Sequence, residues 1–89
     1  MTHHYVASYY MPRPCDPPGI YCAVRGHRGQ VAVLRLPDGR TVKLRVRDYC
    51  PLPSRCDIVR PEFERLFGRE GMRRGLEPVS VRFERRAKR

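Results

Sequence analysis

The chain has 89 residues, enough for one small domain and no more. Its formal net charge is +10, from 17 Arg and 2 Lys against 9 acids, which permits an anionic partner such as nucleic acid, a wall polymer or an acidic protein surface. No apolar run approaches the ~20 residues of a bilayer-crossing helix, and MTHHYVASYY has neither the basic nor the continuous apolar stretch of an export leader.

In chain order, residues 5–10 (YVASYY) predict a first strand rich in aromatic residues. Residues 12–19 (PRPCDPPG) hold four prolines and a glycine, which sustain neither ladder nor helix, so they predict a loop. Ile20 to Val24 reads as a short apolar strand and Arg25 to Gly29 as a basic turn. Gln30 to Leu36 and Thr41 to Arg47 form a hairpin around Pro37-Asp38-Gly39-Arg40, with Pro and Gly at their favoured turn positions. In the second hairpin strand, Val42, Leu44 and Val46 face one way and Lys43, Arg45 and Arg47 the other.

That strand ends on Asp48, followed by a short loop through Tyr49, Cys50 and Cys56 to a second acid, Asp57. A helix is expected near 61–67. Pro61 suits its first position, Glu62 and Glu64 its positive end, Phe63, Leu66 and Phe67 its buried face, and Gly68 its stop. Residues 68–77 are glycine-punctuated, with room for one helical turn. Val79, Val81 and Phe83 alternate in a last strand over 78–83, and 84–89 form a charged tail. Many short strands and little helix point to a closed barrel, which leaves no exposed edges.

Three groups of side chains carry possible chemistry. Asp48 and Asp57 flank one loop, where two carboxylates can divide the acid and base roles of glycoside cleavage. The ordinary reading is that each satisfies loop amides, Asp57 as the cap of the following helix. Among the five tyrosines, Tyr10 and Tyr49 are placed to line a groove, since sugar rings stack on flat aromatic faces; the rest suit a core with satisfied hydroxyls. Arg35, Lys43, Arg45, Arg47 and Arg82 share a strand face that can grip phosphate or an anionic glycan, although a solvated barrel exterior is the simpler explanation. No recognition helix or aromatic RNA-binding motif accompanies them.

The cysteines are Cys15, Cys22, Cys50 and Cys56, spaced C-x6-C and C-x5-C. Those spacings exceed the about two to four residues of tight zinc knuckles, so no metal and no cofactor is expected. Disulfides are the favoured reading outside a reducing cytosol. Local pairs, Cys15–Cys22 and Cys50–Cys56, and cross-pairs between the two loops are all open.

The order of these pieces resembles the double-psi β-barrels of the rare lipoprotein A-like, barwin and expansin group, over residues 5–83 of a single domain spanning 1–89. Val6-Ala7-Ser8-Tyr9-Tyr10 is similar to that family's opening strand, and Gly29 to Arg47 to its central hairpin. Asp48-Tyr49-Cys50-Pro51 resembles its Asp-x-Gly/Cys-Pro motif, and Asp57 to Phe63 its Asp-Leu-Ser-x-x-x-Phe motif. The resemblance implies a mostly-β fold, a six-stranded double-psi β-barrel with one or two short helices. It implies a surface groove that engages cell-wall polysaccharide, peptidoglycan in the bacterial branch, and a place outside the cell, in the periplasm or on a virion.

In the lytic transglycosylases of the group an Asp and a His act together. Asp48 matches the Asp, but the His position falls near Ala23 or Val24. His27, the nearest histidine, stands at another offset, and Val59 replaces the motif's serine, a helix cap. The substrate-binding set expected from the resemblance is Tyr10, Tyr49, Arg47 and His27, with Asp48 and Asp57 as the catalytic candidates of a weak or inactive lytic enzyme. Two alternatives stand beside it. One is a non-catalytic subunit of a phage-tail-type virion or other extracellular assembly, with the other subunits as partners. The other is a basic nucleic-acid-binding barrel.

Overall fold

A computed structural model describes residues 2–85. Its elements are β1 (His3–Tyr10), β2 (Tyr21–Ala23), β3 (Val31–Arg35), β4 (Thr41–Asp48), β5 (Arg55–Val59), α1 (Arg60–Arg74) and β6 (Glu77–Glu84). The six strands close into one barrel in the order β1-β5-β2-β4-β3-β6. β1 with β5 and β2 with β4 pair in parallel; the other four seams are antiparallel. Two parallel seams in so short a chain require long crossovers, so neighbours in space are far apart in sequence.

Alternation fills the inside. Ala7, Cys22, Val24, Ala32, Leu34, Leu44, Val46, Cys56, Ile58, Val79 and Val81 are all buried and leave the barrel a packed core rather than a channel. The expected hairpin of β3 and β4 is present, with Leu44 and Val46 inward and Lys43 and Arg45 exposed. Phe63 and Leu66 of α1 join this core, and Tyr9, Phe63 and Phe67 form an aromatic run with ring centroids 5.1 and 4.7 Å apart.

Two expectations are corrected. The loop predicted between Cys50 and the helix contains β5, whose Cys56 and Ile58 face inward while Arg55 and Asp57 face outward. The helix does not stop at Gly68. It bends there, at φ 69° and ψ −169°, resumes, and ends at Gly75 in the left-handed conformation, whose N–H donates to the Gly71 carbonyl at 2.8 Å. Pro61 sits at the helix start as expected and Val59 caps it without a side-chain bond, but the helix begins at Arg60, so of the two acids only Glu62 falls in the first turn. Residues 86–89 of the predicted tail lie outside the described residues. Among the described residues no helix is long and apolar enough to cross a membrane.

Candidate functional site

Four adjacent strands build the site on the outer wall of the barrel. In register, Ser8 of β1 lies opposite Asp57 of β5, Asp57 opposite Ala23 of β2, and Ala23 opposite Asp48 of β4. The row is carboxylate, small residue, carboxylate, with Ala23 as a low floor between two acids. Tyr10, two residues beyond Ser8, adds its hydroxyl from one side, and the exposed Tyr49 stands at the rim. Together with Met11, Arg13, Asp16 and Arg28 they line an open groove of about 410 Å³.

Hydrogen bonds fix the two acids differently. The Tyr10 hydroxyl donates to Asp48 Oδ2 at 2.8 Å, and Arg47 Nη1 lies 3.0 Å from each Asp48 oxygen. Both oxygens of Asp48 are therefore engaged as acceptors. Asp57 accepts one hydrogen bond, from the Ser8 hydroxyl at 2.7 Å, and forms no ion pair among the described residues. It lines the groove with acceptor positions beyond that one bond. Burial, and then the bond to Asp48, raises the Tyr10 phenol above its ordinary value, so it stays a neutral donor.

Arg47 organises more than its neighbour. Its guanidinium lies 3.4 Å from Asp16 Oδ1 and 5.1 Å above the centre of the Tyr21 ring, while its backbone carbonyl accepts from Arg28 Nε at 3.2 Å. Asp16 comes from the proline-rich loop and closes a tight turn there, accepting from the Arg13 amide at 2.8 Å. That amide bond is the largest cause holding the Asp16 carboxyl below the usual carboxylate range, with the Arg13 and Arg47 charges adding to it. The loop is thus latched to the end of β4.

The groove brings together Asp48, Asp57, Tyr10 and Tyr49, with Arg47 bonded to Asp48 but not itself in the lining. It leaves out His27. Gly26 and Gly29 on either side take positive φ, 84° and 90°, and while Arg28 reaches the groove, His27 stacks on Phe83 at 3.6 Å and 2° with its Nδ1 2.7 Å from Gln30 Oε1. Asp57 is not a helix cap either, since it lies inside β5. Sequence reasoning missed Asp16, Arg13 and Ser8. Asp16 sits among prolines where no periodicity places it, whereas Ser8 was readable as an outward position of β1.

All four cysteines are free thiols, Cys15 exposed and Cys22, Cys50 and Cys56 buried, so neither expected local pair is formed. The Cys22 thiol first, and then burial, push Cys56 well above its usual range. Among the described residues no three His, Cys, Asp or Glu side chains converge as a metal cage. A second hollow of about 320 Å³ lies between His4, Arg35, Pro37 and Pro78. No carboxylate lines it, so the chemistry gathers in the first groove.

No family model matches the sequence, and no curated protein sequence matches it either. Solved structures do match. A mutant expansin from Clavibacter michiganensis in complex with cellohexaose superposes with a TM-score of 0.74 at 21% identity, covering 100% of this chain and 53% of that one. The same expansin without ligand gives 0.72 at 22% identity, with the same coverage. This chain is a double-psi β-barrel. It spans about half the length of the expansin chains, but 96% of it matches 96% of the Streptomyces papain inhibitor, with a TM-score of 0.74 and 20% identity.

Proposed function

We propose that the protein binds a polysaccharide chain of the cell wall in the groove between Asp48 and Asp57 and does not cleave it. The observation that carries this reading is the pair of acids itself. Asp57 presents free acceptor positions to sugar hydroxyls, while Asp48 is held by Arg47 and Tyr10. Cleavage needs a donor at the leaving oxygen, and Asp48 is engaged as an acceptor on both oxygens. Tyr49 at the rim offers a face for a sugar ring, and the low Ala23 floor leaves room for it. An expansin that contains a barrel like this one over about half of its chain was solved with cellohexaose, which supports the same class of ligand.

Peptidoglycan is the wall polymer we assign first, cellulose-like glucan second. The test is co-sedimentation with purified peptidoglycan and with cellulose, alongside product analysis for anhydro-muropeptides. We expect wild type to sediment with at least one polymer, Asp57→Ala and Tyr49→Ala to be lost to the supernatant, and no anhydro product to form. Release of anhydro product by wild type but not by Asp48→Asn would establish cleavage and overturn the binding-only reading.

One observation favours a second reading. The end-to-end match to the Streptomyces papain inhibitor makes a single-domain protease-binding role an alternative use of the same fold. Titrating papain with the protein decides it: loss of protease activity at near-stoichiometric ratio, with no sedimentation on either polymer, would replace the polysaccharide reading.

A further inference from the structure

The groove does not end at the proline-rich loop. On the far side of Arg13 and Asp16, which line both spaces, lies a second hollow of about 340 Å³. Pro12, Pro17, Pro18 and Pro61 wall it, over a floor that includes the buried Tyr21. Each hollow alone is at the small end of the roughly 300–1,000 Å³ range of ligand sites. They are neighbours, with Arg13 and Asp16 belonging to both.

The chemistry of the second hollow is specific. Proline has no backbone N–H, so these four wall positions cannot donate to a ligand. They offer flat, rigid C–H surface, which suits the apolar face of a sugar ring. At the junction, the exposed Arg13 guanidinium supplies donors for hydroxyls.

The wall is also pre-organised. The Tyr21 hydroxyl donates to the Pro17 carbonyl at 2.9 Å, Asp16 N–H to the Arg13 carbonyl at 2.9 Å, and Asp16 is tied to Arg47. A ligand entering it meets a loop already ordered, which keeps the entropic cost of binding low.

We infer that the proline-walled hollow is a second subsite, which takes the next residues of the same β-linked glycan chain whose first residues occupy the acidic groove. The inference rests on the polysaccharide reading of that groove. Calorimetric titration with oligosaccharides of increasing length tests it, using cello-oligosaccharides and N-acetylglucosamine oligomers from dimer to hexamer. Affinity should rise by about tenfold or more from the shortest oligomer that binds to the hexamer. In a Pro17→Ser/Pro18→Ser double variant, at two exposed positions, the hexamer should fall back to the affinity of the shorter oligomer. A flat length series, or a full length gain in the double variant, overturns the second subsite and leaves the first groove standing. No binding by any oligomer in either series removes the polysaccharide reading and the subsite with it.

Discussion

Arg47 is the residue on which the site's geometry turns. One guanidinium is shared between Asp48, Asp16 and the face of Tyr21, so it joins strand, loop and floor. Replacing it by Met keeps most of the side-chain volume and removes the charge. Because the group is partly exposed, the loss of stability should be about 1 kcal/mol, read from chemical denaturation. Asp16 gives a pH dependence of definite sign. Its carboxyl is lowered in the folded protein, so the latch is complete above the ordinary carboxylate value of about 3.9 and is lost as pH falls through the lower folded value. The Arg13 amide resonance, which reports the bond to Asp16, should move only in that acid range. The thiols also differ residue by residue. Cys15 alone is exposed, so a maleimide should label one site in the native protein and all four after denaturation, counted by mass. At this scale the sequence showed Asp48, Asp57, Tyr10 and Tyr49, because acids and aromatics beside turns stand out. It could not show that Arg47 turns to Asp48, Asp16 and the face of Tyr21 rather than standing free with Arg45, since the register of β2 against β4 shifts there and leaves Arg47 unpaired with β2.

At the scale of elements, α1 and its surroundings hold the barrel's end. Arg40, from the β3–β4 turn, donates from Nη2 to the Leu66 carbonyl at 2.5 Å, satisfying a carbonyl just before the bend at Gly68. Removing it as Arg40→Ala should cost about 1 kcal/mol of stability without touching the groove. Two buried acids, Glu62 and Glu77, are each covered by an arginine three residues away in sequence, Arg65 at 2.8 Å and Arg74 at 2.7 Å. Gly71 is the most constrained position of the helix. A Cβ there would collide with the Phe67 Cβ, so Gly71→Ala should destabilise the fold by about 1–3 kcal/mol in thermal or denaturant unfolding, although alanine ordinarily favours helix. The hairpin and the outer strands were legible because their alternation is regular. β5 was not. Its Arg55-Cys56-Asp57-Ile58 does alternate, but only over five residues beside a helix start, and reading Asp57 as a helix cap used up the same residues. The helix was cut short for a related reason: Gly68 has the residue type of a stop but serves as a bend.

For the whole molecule, charge and groove make separable predictions. The outer cations are partly neutralised, as Lys43 and Arg82 both reach Glu84 at 3.4 and 2.5 Å. A neutral oligosaccharide held by hydrogen bonds and ring contacts should keep its affinity within about twofold from about 0.1 M to 1 M salt, while the Debye length shrinks from about 10 to 3 Å. Nucleic-acid binding driven by the +10 charge would fall steeply over the same range. The overall barrel was readable from the order of its motifs. The groove was readable only in part, because it assembles one row from β1, β5, β2 and β4, strands whose pairing no local pattern announces. The most direct test is an amide NMR titration with cellohexaose and, separately, with a soluble peptidoglycan fragment. Shifts confined to Ser8, Tyr10, Ala23, Asp48, Tyr49 and Asp57 and their neighbours across the groove are predicted for at least one of the two. Absence of shifts with both, or shifts centred on Arg35, Lys43 and Arg82, would contradict the assignment.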